Sequence, residues 1–242
     1  NRKRPLLSVF KFFIAVQTLR QMEQTGTALN AKLTVKENMT DANMYSPMLK
    51  KHPRRPFEIS LAELLEYMIA ESDNNAADIL LKYSGGTGQL EKFLHDLGFS
   101  GIDIRVNEKQ MNQKAENQYL NQAAPSDVAG LIKLVLEKDV LSAEHRKFLS
   151  DIMLKTSTGT DKIKQGLPPG VMFGHKTGSS SRTADGIKIA DNDAGFVTLT
   201  NGRTYYIAVM ITESKLDDRA NAALAAQISQ TVYNYLTTEK TD

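Results

Sequence analysis

Apolar residues define the first element. Leu6, Leu7, Val9, Phe10, Phe12, Phe13, Ile14, Ala15 and Val16 follow one another almost without a break, and the pattern turns amphipathic through Leu19 and Met22 before Gly26. This predicts a buried helix from about Ser8 to Gln24. Ser60 and Glu63 form a capping box ahead of Leu61, Leu64, Leu65, Met68 and Ile69, which repeat at helical spacing. That helix breaks at Ser72-Asp73-Asn74-Asn75, and another passes through Ile79, Leu80 and Leu81 to stop at Gly85-Gly86. Residues 89–97 form a short amphipathic helix closed by Gly98. Residues 101–124 are rich in Asn and Gln and have no clean period, so a long irregular connection is expected there. Helices resume over 125–138 and 143–155. The basic stretch 50–56, broken by Pro53 and Pro56, is expected to be a solvated loop.

The period then changes. Residues 171–178 predict a strand, and 196–212 predict a hairpin around a type I′ turn at Asn201-Gly202. The last helix, 217–236, carries Leu224, Ile228, Val232 and Tyr235 on one face. Many helices, three strands and a closing helix give an α/β chain of the α+β type, with an antiparallel sheet and flanking helices beside an all-helical region. The helical region covers about 8–155 and the sheet-plus-helix region about 156–242.

Composition narrows the function classes. The 242 residues are 41% hydrophobic and 24% charged, with a net charge of +2. That balance gives no reason to expect a nucleic-acid or acidic-membrane partner. No cysteine is present, which excludes disulfides and thiolate metal sites. The longest apolar run falls short of the ~20 residues a bilayer span needs. It follows Arg2, Lys3 and Arg4 as a signal-peptide core would, but no small-residue cleavage site comes after it. His52, His95, His145 and His175 lack metal-ligand spacing and read as surface or structural residues, so no metal or other cofactor is expected. Nor do they offer a Ser-His-Asp triad. The glycine-rich run 84–88 lacks the lysine of a phosphate loop.

The polar residues inside the first helix carry the chemistry. Ser8 and Lys11 lie three apart, on one helix face. A serine hydroxyl becomes a good nucleophile only when a base takes its proton. A lysine serves as that base only if its pKa falls toward neutrality, which apolar surroundings and a second cation promote. The helix N-terminus can stabilise a developing oxyanion. Alone, S-x-x-K is a weak signal. Here it is followed by S-D-N at Ser72, Asp73 and Asn74, at a break between helices. K-T-G at Lys176, Thr177 and Gly178 then ends a predicted strand.

In this order the three motifs are those of class A β-lactamases and penicillin-binding proteins. The chain resembles a class A serine β-lactamase over nearly its whole length, in the extended-spectrum, cephalosporin-favouring branch of Gram-negative bacteria. The strings PLLSVFKF, YSPM, SDNNAADIL, HKTGSS and ADNDAGFV carry the likeness. The resemblance implies hydrolysis of a β-lactam amide through an acyl-enzyme on Ser8, with Lys11, Ser72 and Glu108 as further catalytic residues. Glu108 is chosen over Glu116 because E-K-Q-M-N, ending at Asn112, has the family's E-x-x-[LM]-N spacing. Lys109 stands where the family often has a proline.

The same resemblance implies that Tyr45, Asn74, Asn112, Lys176, Thr177, Gly178 and Ser179 bind substrate or water. The N–H groups of Ser8 and Ser179 would form an oxyanion hole. Arg182 and Arg219 are both open as the arginine that meets the substrate carboxylate. A single catalytic domain over 1–242, a monomer and a periplasmic or secreted location are expected. A penicillin-binding D,D-peptidase and a β-lactam sensor that acylates once are the alternatives. Family members have a helix and two strands before the nucleophile, whereas seven residues precede Ser8 here. An N-terminal segment, with any secretion signal and the remaining strands, is therefore expected to be missing from this chain.

Overall fold

The computed structural model describes residues 2–238. A two-residue strand β1 (Arg4–Pro5) leads through a short 3₁₀ turn, Leu7–Val9, into α1 (Phe10–Thr25). α1 is buried on every side along its first three turns, which places it at the centre of the helical region. Gly26 ends it in the left-handed conformation, φ 67°.

β2 (Lys32–Val35) and β3 (Phe57–Ser60) form a small antiparallel ladder, with α2 (Pro47–Lys51) between them. α2 takes up part of the basic stretch read as a loop, and His52 stacks on Phe57 at 4.4 Å. The capping box at Ser60 and Glu63 opens α3 (Leu61–Ala70). α4 (Asn74–Tyr83) begins at the S-D-N break, where Asp73 caps it by accepting from the Ala76 N–H. α5 (Gly86–Asp96) follows. α1, α3, α4 and α5 pack around one apolar core that includes Phe10, Phe13, Leu64, Met68 and Leu80.

The stretch 101–124 is not structureless. It contains α6 (Glu108–Met111), a 3₁₀ turn over Ala115–Tyr119 and β4 (Gln122–Ala123), which pairs antiparallel with β1. Its order comes from amides rather than from an apolar period. Asn107 caps α6, Asn117 donates to the Gln110 carbonyl, and the fully buried Asn121 accepts from Arg105 and Val106 and donates back to Val106. A residue count of Asn and Gln reads as loop because those bonds are invisible to periodicity.

α7 (Pro125–Glu137) and α8 (Ala143–Leu154) complete the helical region. β5 (Met172–Ser179), β6 (Lys188–Thr198) and β7 (Thr204–Ser214) form an antiparallel sheet in that order. β6 begins well before the expected position 196. Its first half, with Asp191, Asn192 and Asp193, is polar yet buried, so alternation gave no strand signal. The hairpin is not type I′. Leu199 and Arg203 close a three-residue loop in which only Gly202 has positive φ (81°), a type I turn with a bulge.

α9 (Asp218–Thr238) packs on β7 and on the turn Ile163–Gly166. Its buried residues are Asn221, Ala222, Ala225 and Ser229, while Leu224, Ile228 and Tyr235 are exposed. Of the four residues expected on the apolar face, Val232 packs against the sheet cluster and the other three are exposed. The 163–166 turn comes close to the helix backbone, since a Cβ at Gly166 would stand 2.0 Å from the Ala226 carbonyl oxygen.

Candidate active site

Ser8 sits in the single turn that precedes α1, and β1 and the sheet fix that turn from behind. Asn192 of β6 donates to the Pro5 and Leu6 carbonyls at 2.8 and 3.2 Å. Leu7, just before the serine, has φ 46°, and Ser72 has φ 58°. Such values cost non-glycine residues on the order of 1–3 kcal/mol and persist where the surroundings impose them. Here the two strained residues flank one cluster.

Lys11 is fully buried, and its ammonium is surrounded by oxygen. Nζ donates to Ser8 Oγ (3.0 Å), the Ser72 carbonyl (2.8 Å), Ser72 Oγ (3.3 Å) and Asn74 Oδ1 (2.6 Å). It also lies 3.0 Å from Glu108 Oε1. Ser8 Oγ donates to the same carboxylate oxygen at 3.3 Å. A buried ammonium is tolerable because a carboxylate and several acceptors replace its water. Lys176 approaches from the sheet and donates to Ser72 Oγ and to the Thr177 carbonyl, each at 2.9 Å. Burial, and then the charge of Lys11, hold its ammonium well below the usual lysine range.

The glutamate is held by its backbone. Asp78, one helical turn after Asn74 on α4, accepts the Glu108 N–H at 2.7 Å and the Lys109 N–H at 3.0 Å. Burial pushes the Asp78 carboxyl up to about 6, with the Glu108 charge adding to the rise while those two N–H bonds oppose it. Asn112 ends the turn and donates to the Glu108 carbonyl at 2.8 Å. Glu116 is exposed in the following 3₁₀ turn, away from the cluster.

The other wall comes from β5. A Cβ on Gly178 would lie 2.6 Å from the Leu6 carbonyl oxygen and 3.0 Å from the Ser8 nitrogen, so glycine lets the strand meet the Ser8 turn. The Thr177 hydroxyl is 2.6 Å from that of Thr158. Ser179 donates to Asp191, its partner in the β5–β6 register, at 2.5 Å. Lys162 donates to both, at 3.0 and 2.5 Å.

Ser8, Tyr45, Ser72, Asn74, Thr177 and Ser179 open on one cleft of about 400 Å³. Tyr45 stands half-exposed at its mouth, on a segment tied to Asp73 by the Ser46 hydroxyl and the Met48 N–H. Arg182 is not part of this cleft. Its guanidinium bonds Asp218 and the carbonyls of Gly186 and Leu216, and Arg219 is exposed. Sequence reasoning missed Asp78, Thr158, Lys162 and Asp191. Asp78 had a signal, since it lies four residues after Asn74 on a predicted helix and so shares its face.

Chemically, a hydroxyl is within reach of an amine and a carboxylate, and a second hydroxyl bridges two lysines. This supplies a nucleophile, two candidate bases and a proton relay.

Comparison with known proteins agrees with this geometry. The model of the β-lactamase enzyme family matches residues 1–236. A β-lactamase of Bacteroides uniformis is 42% identical over 231 residues, 95% of this chain and 78% of that protein. The extended-spectrum β-lactamase PER-1 of Pseudomonas aeruginosa is 33% identical over 96% of this chain and 75% of its own length. The crystal structure of a class A β-lactamase from Bacteroides cellulosilyticus superposes with a TM-score of 0.96 at 43% identity, covering 98% of this chain and 86% of that one. The chain belongs to the β-lactamase enzyme family and, within it, to class A.

Proposed function

We propose that the chain hydrolyses β-lactam antibiotics through an acyl-enzyme on Ser8, as one catalytic unit over 1–242. The observation that carries this reading is the sharing of Ser8 Oγ between Lys11 Nζ and the Glu108 carboxylate. Glu108 through a water takes the Ser8 proton as Oγ attacks the lactam carbonyl, or Lys11 does once its own proton has passed to the Glu108 carboxylate. The N–H groups of Ser8 and Ser179 receive the oxyanion. The ring C–N bond then breaks, and Ser72, bridged to both lysines, delivers a proton to the leaving nitrogen.

Lys176 and Thr177 bind the substrate carboxylate, with Gly178 setting the strand's approach. Asn74 spends its carbonyl on Lys11, which leaves its amide N–H group for the substrate's acyl-amide arm. Tyr45 flanks that arm at the mouth. Glu108 then activates water on the ester and the proton returns to Ser8. Asn112 keeps the Glu108 turn wound, and sharing the water would require its amide to leave the Glu108 carbonyl.

The resemblance to extended-spectrum relatives favours cephalosporins as substrates and resistance as the outcome. A monomer outside the cytoplasm, periplasmic or secreted, fits this role. No helix among the described residues is long and apolar enough to cross a membrane.

Chromogenic cephalosporin turnover tests the reading. The parent should turn over many times, and Glu108→Gln alone should accumulate a covalent adduct visible by mass. A single stoichiometric burst in the parent would favour a sensor or peptidase. Adduct trapping by Glu116→Gln instead would move the deacylating role to that residue.

A further inference from the structure

The carboxylate end of the cleft has one charge left over. Thr158 bonds Thr177, and a Cβ on Gly159 would lie 2.6 Å from Thr177 Cγ2, so the 158–162 segment is the immediate neighbour of the K-T-G strand. Lys162 also lines the cleft, but it is already bonded and its charge is met. Its three protons go to Ser179 Oγ, Asp191 Oδ1 and the Asn192 carbonyl, and Asp191 neutralises it. Lys188, also on this wall, is paired with Asp218 at 3.2 Å, and Arg182 holds Asp218 from outside. Asp161 lines the same cleft, is exposed, and pairs with no cation among the described residues.

In a cephem the ring carbon bearing the carboxylate adjoins the carbon bearing the variable 3-arm. Resting on the proposed acyl transfer, with the carboxylate at Lys176 and Thr177, that arm passes the 158–162 segment. We infer that Asp161 selects cephems whose 3-arm carries a positive charge, such as a quaternary ammonium, over those whose arm is anionic. The arm's cation meets an unpaired carboxylate in a cleft where the adjacent lysine is already committed. Because Asp161 is exposed, the preference is modest and screened by salt.

The test is kcat/KM for two cephems that differ only in an ammonium or a carboxylate on the 3-arm, at low and high salt. The cationic compound should lead by about two- to fivefold at low salt, mainly through KM. The ratio should collapse toward one in Asp161→Asn and invert in Asp161→Lys, and it should shrink in the parent at high salt. A ratio that both variants leave unaltered overturns the role of Asp161. A parent that turns over neither compound overturns the proposed activity, and this inference with it.

Discussion

The two walls of the cleft hold buried polar atoms by different means. On the helical wall Ser8, Lys11, Ser72, Asn74 and Glu108 come from three separate segments, joined by bonds that a few side chains make, those of Lys11 above all. On the sheet wall Lys176, Thr177, Gly178 and Ser179 are consecutive, and a continuous ladder sets their register against β6. The first wall concentrates its geometry in a few buried charges, so single substitutions should uncouple it. The second spreads its geometry over backbone bonds, so only a clash should disturb it.

Lys11→Met tests the first claim most severely. It keeps the shape, removes the proposed base and leaves Glu108 buried without its cation. Loss of a general base should lower acylation by about 10²–10⁴-fold. Breaking a buried pair should cost about 3–5 kcal/mol of stability. Adding Glu108→Gln should return most of the stability and none of the turnover. Calorimetry and adduct formation by mass, run on the double-mutant cycle, separate the two effects. A single variant as stable as the parent would show that the wall does not depend on this pair.

Asp78→Asn comes next, because it loosens the Glu108 turn without replacing any side chain of the cluster. Unfolded, Asp78 ionises near its ordinary 3.8, and folded, near about 6. The folded chain holds the proton more tightly. Its stabilising share is therefore complete below pH 3.8, declines as pH rises to about 6 and is flat above that. The full difference is at most about 3 kcal/mol. The variant lacks this decline, so the parent's melting temperature should lose ground to it as pH rises from 4 to 7.

Activity should move the other way. The ionised carboxylate accepts both N–H groups of the Glu108 turn, and neither a protonated Asp78 nor an asparagine can. The parent's kcat should therefore fall below pH 6, and the variant's should be lower throughout without an inflection there. Superimposable profiles would remove Asp78 from the support of Glu108.

Gly178→Ala tests the sheet wall by the one route that should hurt it. The added methyl meets backbone atoms of Leu6, Ser8 and Val9, which have no rotamer to yield. Overpacking of this kind should cost about 1–3 kcal/mol, with a fall in kcat as the Ser8 turn is pushed off the strand. Thr158→Val, which deletes a hydroxyl contact but leaves the ladder whole, should cost less on both counts in the same melting and turnover assays.

The difference between the walls also explains what could be read from the sequence. Period and capping placed Ser8 and Lys11, the S-D-N break and the K-T-G strand end on their elements, but it was the family resemblance, through the order of the three motifs, that singled them out. The choice of Glu108 over Glu116 came from spacing, and the structure sets Glu108 against Lys11. The order of residues 101–124 was hidden, since Asn107, Asn117 and Asn121 build it through amide-to-backbone bonds that leave no apolar pattern. β6 was cut short because Asp191, Asn192 and Asp193 are buried polar residues in a strand. The open face of α9 was misjudged because its buried positions, Asn221, Ala222, Ala225 and Ser229, include two polar residues and leave no apolar period. Asp78, Lys162 and Asp191 were overlooked for a related reason: each supports a site residue through space.

Ser60→Ala is the smallest change and probes whether the helical wall is stiff as a body. The Ser60 hydroxyl accepts from the Glu63 N–H at 3.2 Å and donates to its carboxylate at 2.7 Å, closing the capping box of α3. α3 leads directly into Ser72, but Ser60 itself is at the far end of that helix. Loss of a cap should cost about 1 kcal/mol, or about 2–4 °C of melting temperature for a chain of this size. If the cluster is held by its own side-chain bonds, kcat at temperatures below melting should stay at the parent value. A kcat that drops in step with stability would mean that fraying at Ser60 reaches Ser72 along α3. The contrast would then lie between a helix that transmits and a sheet that absorbs, not between concentrated and distributed contacts.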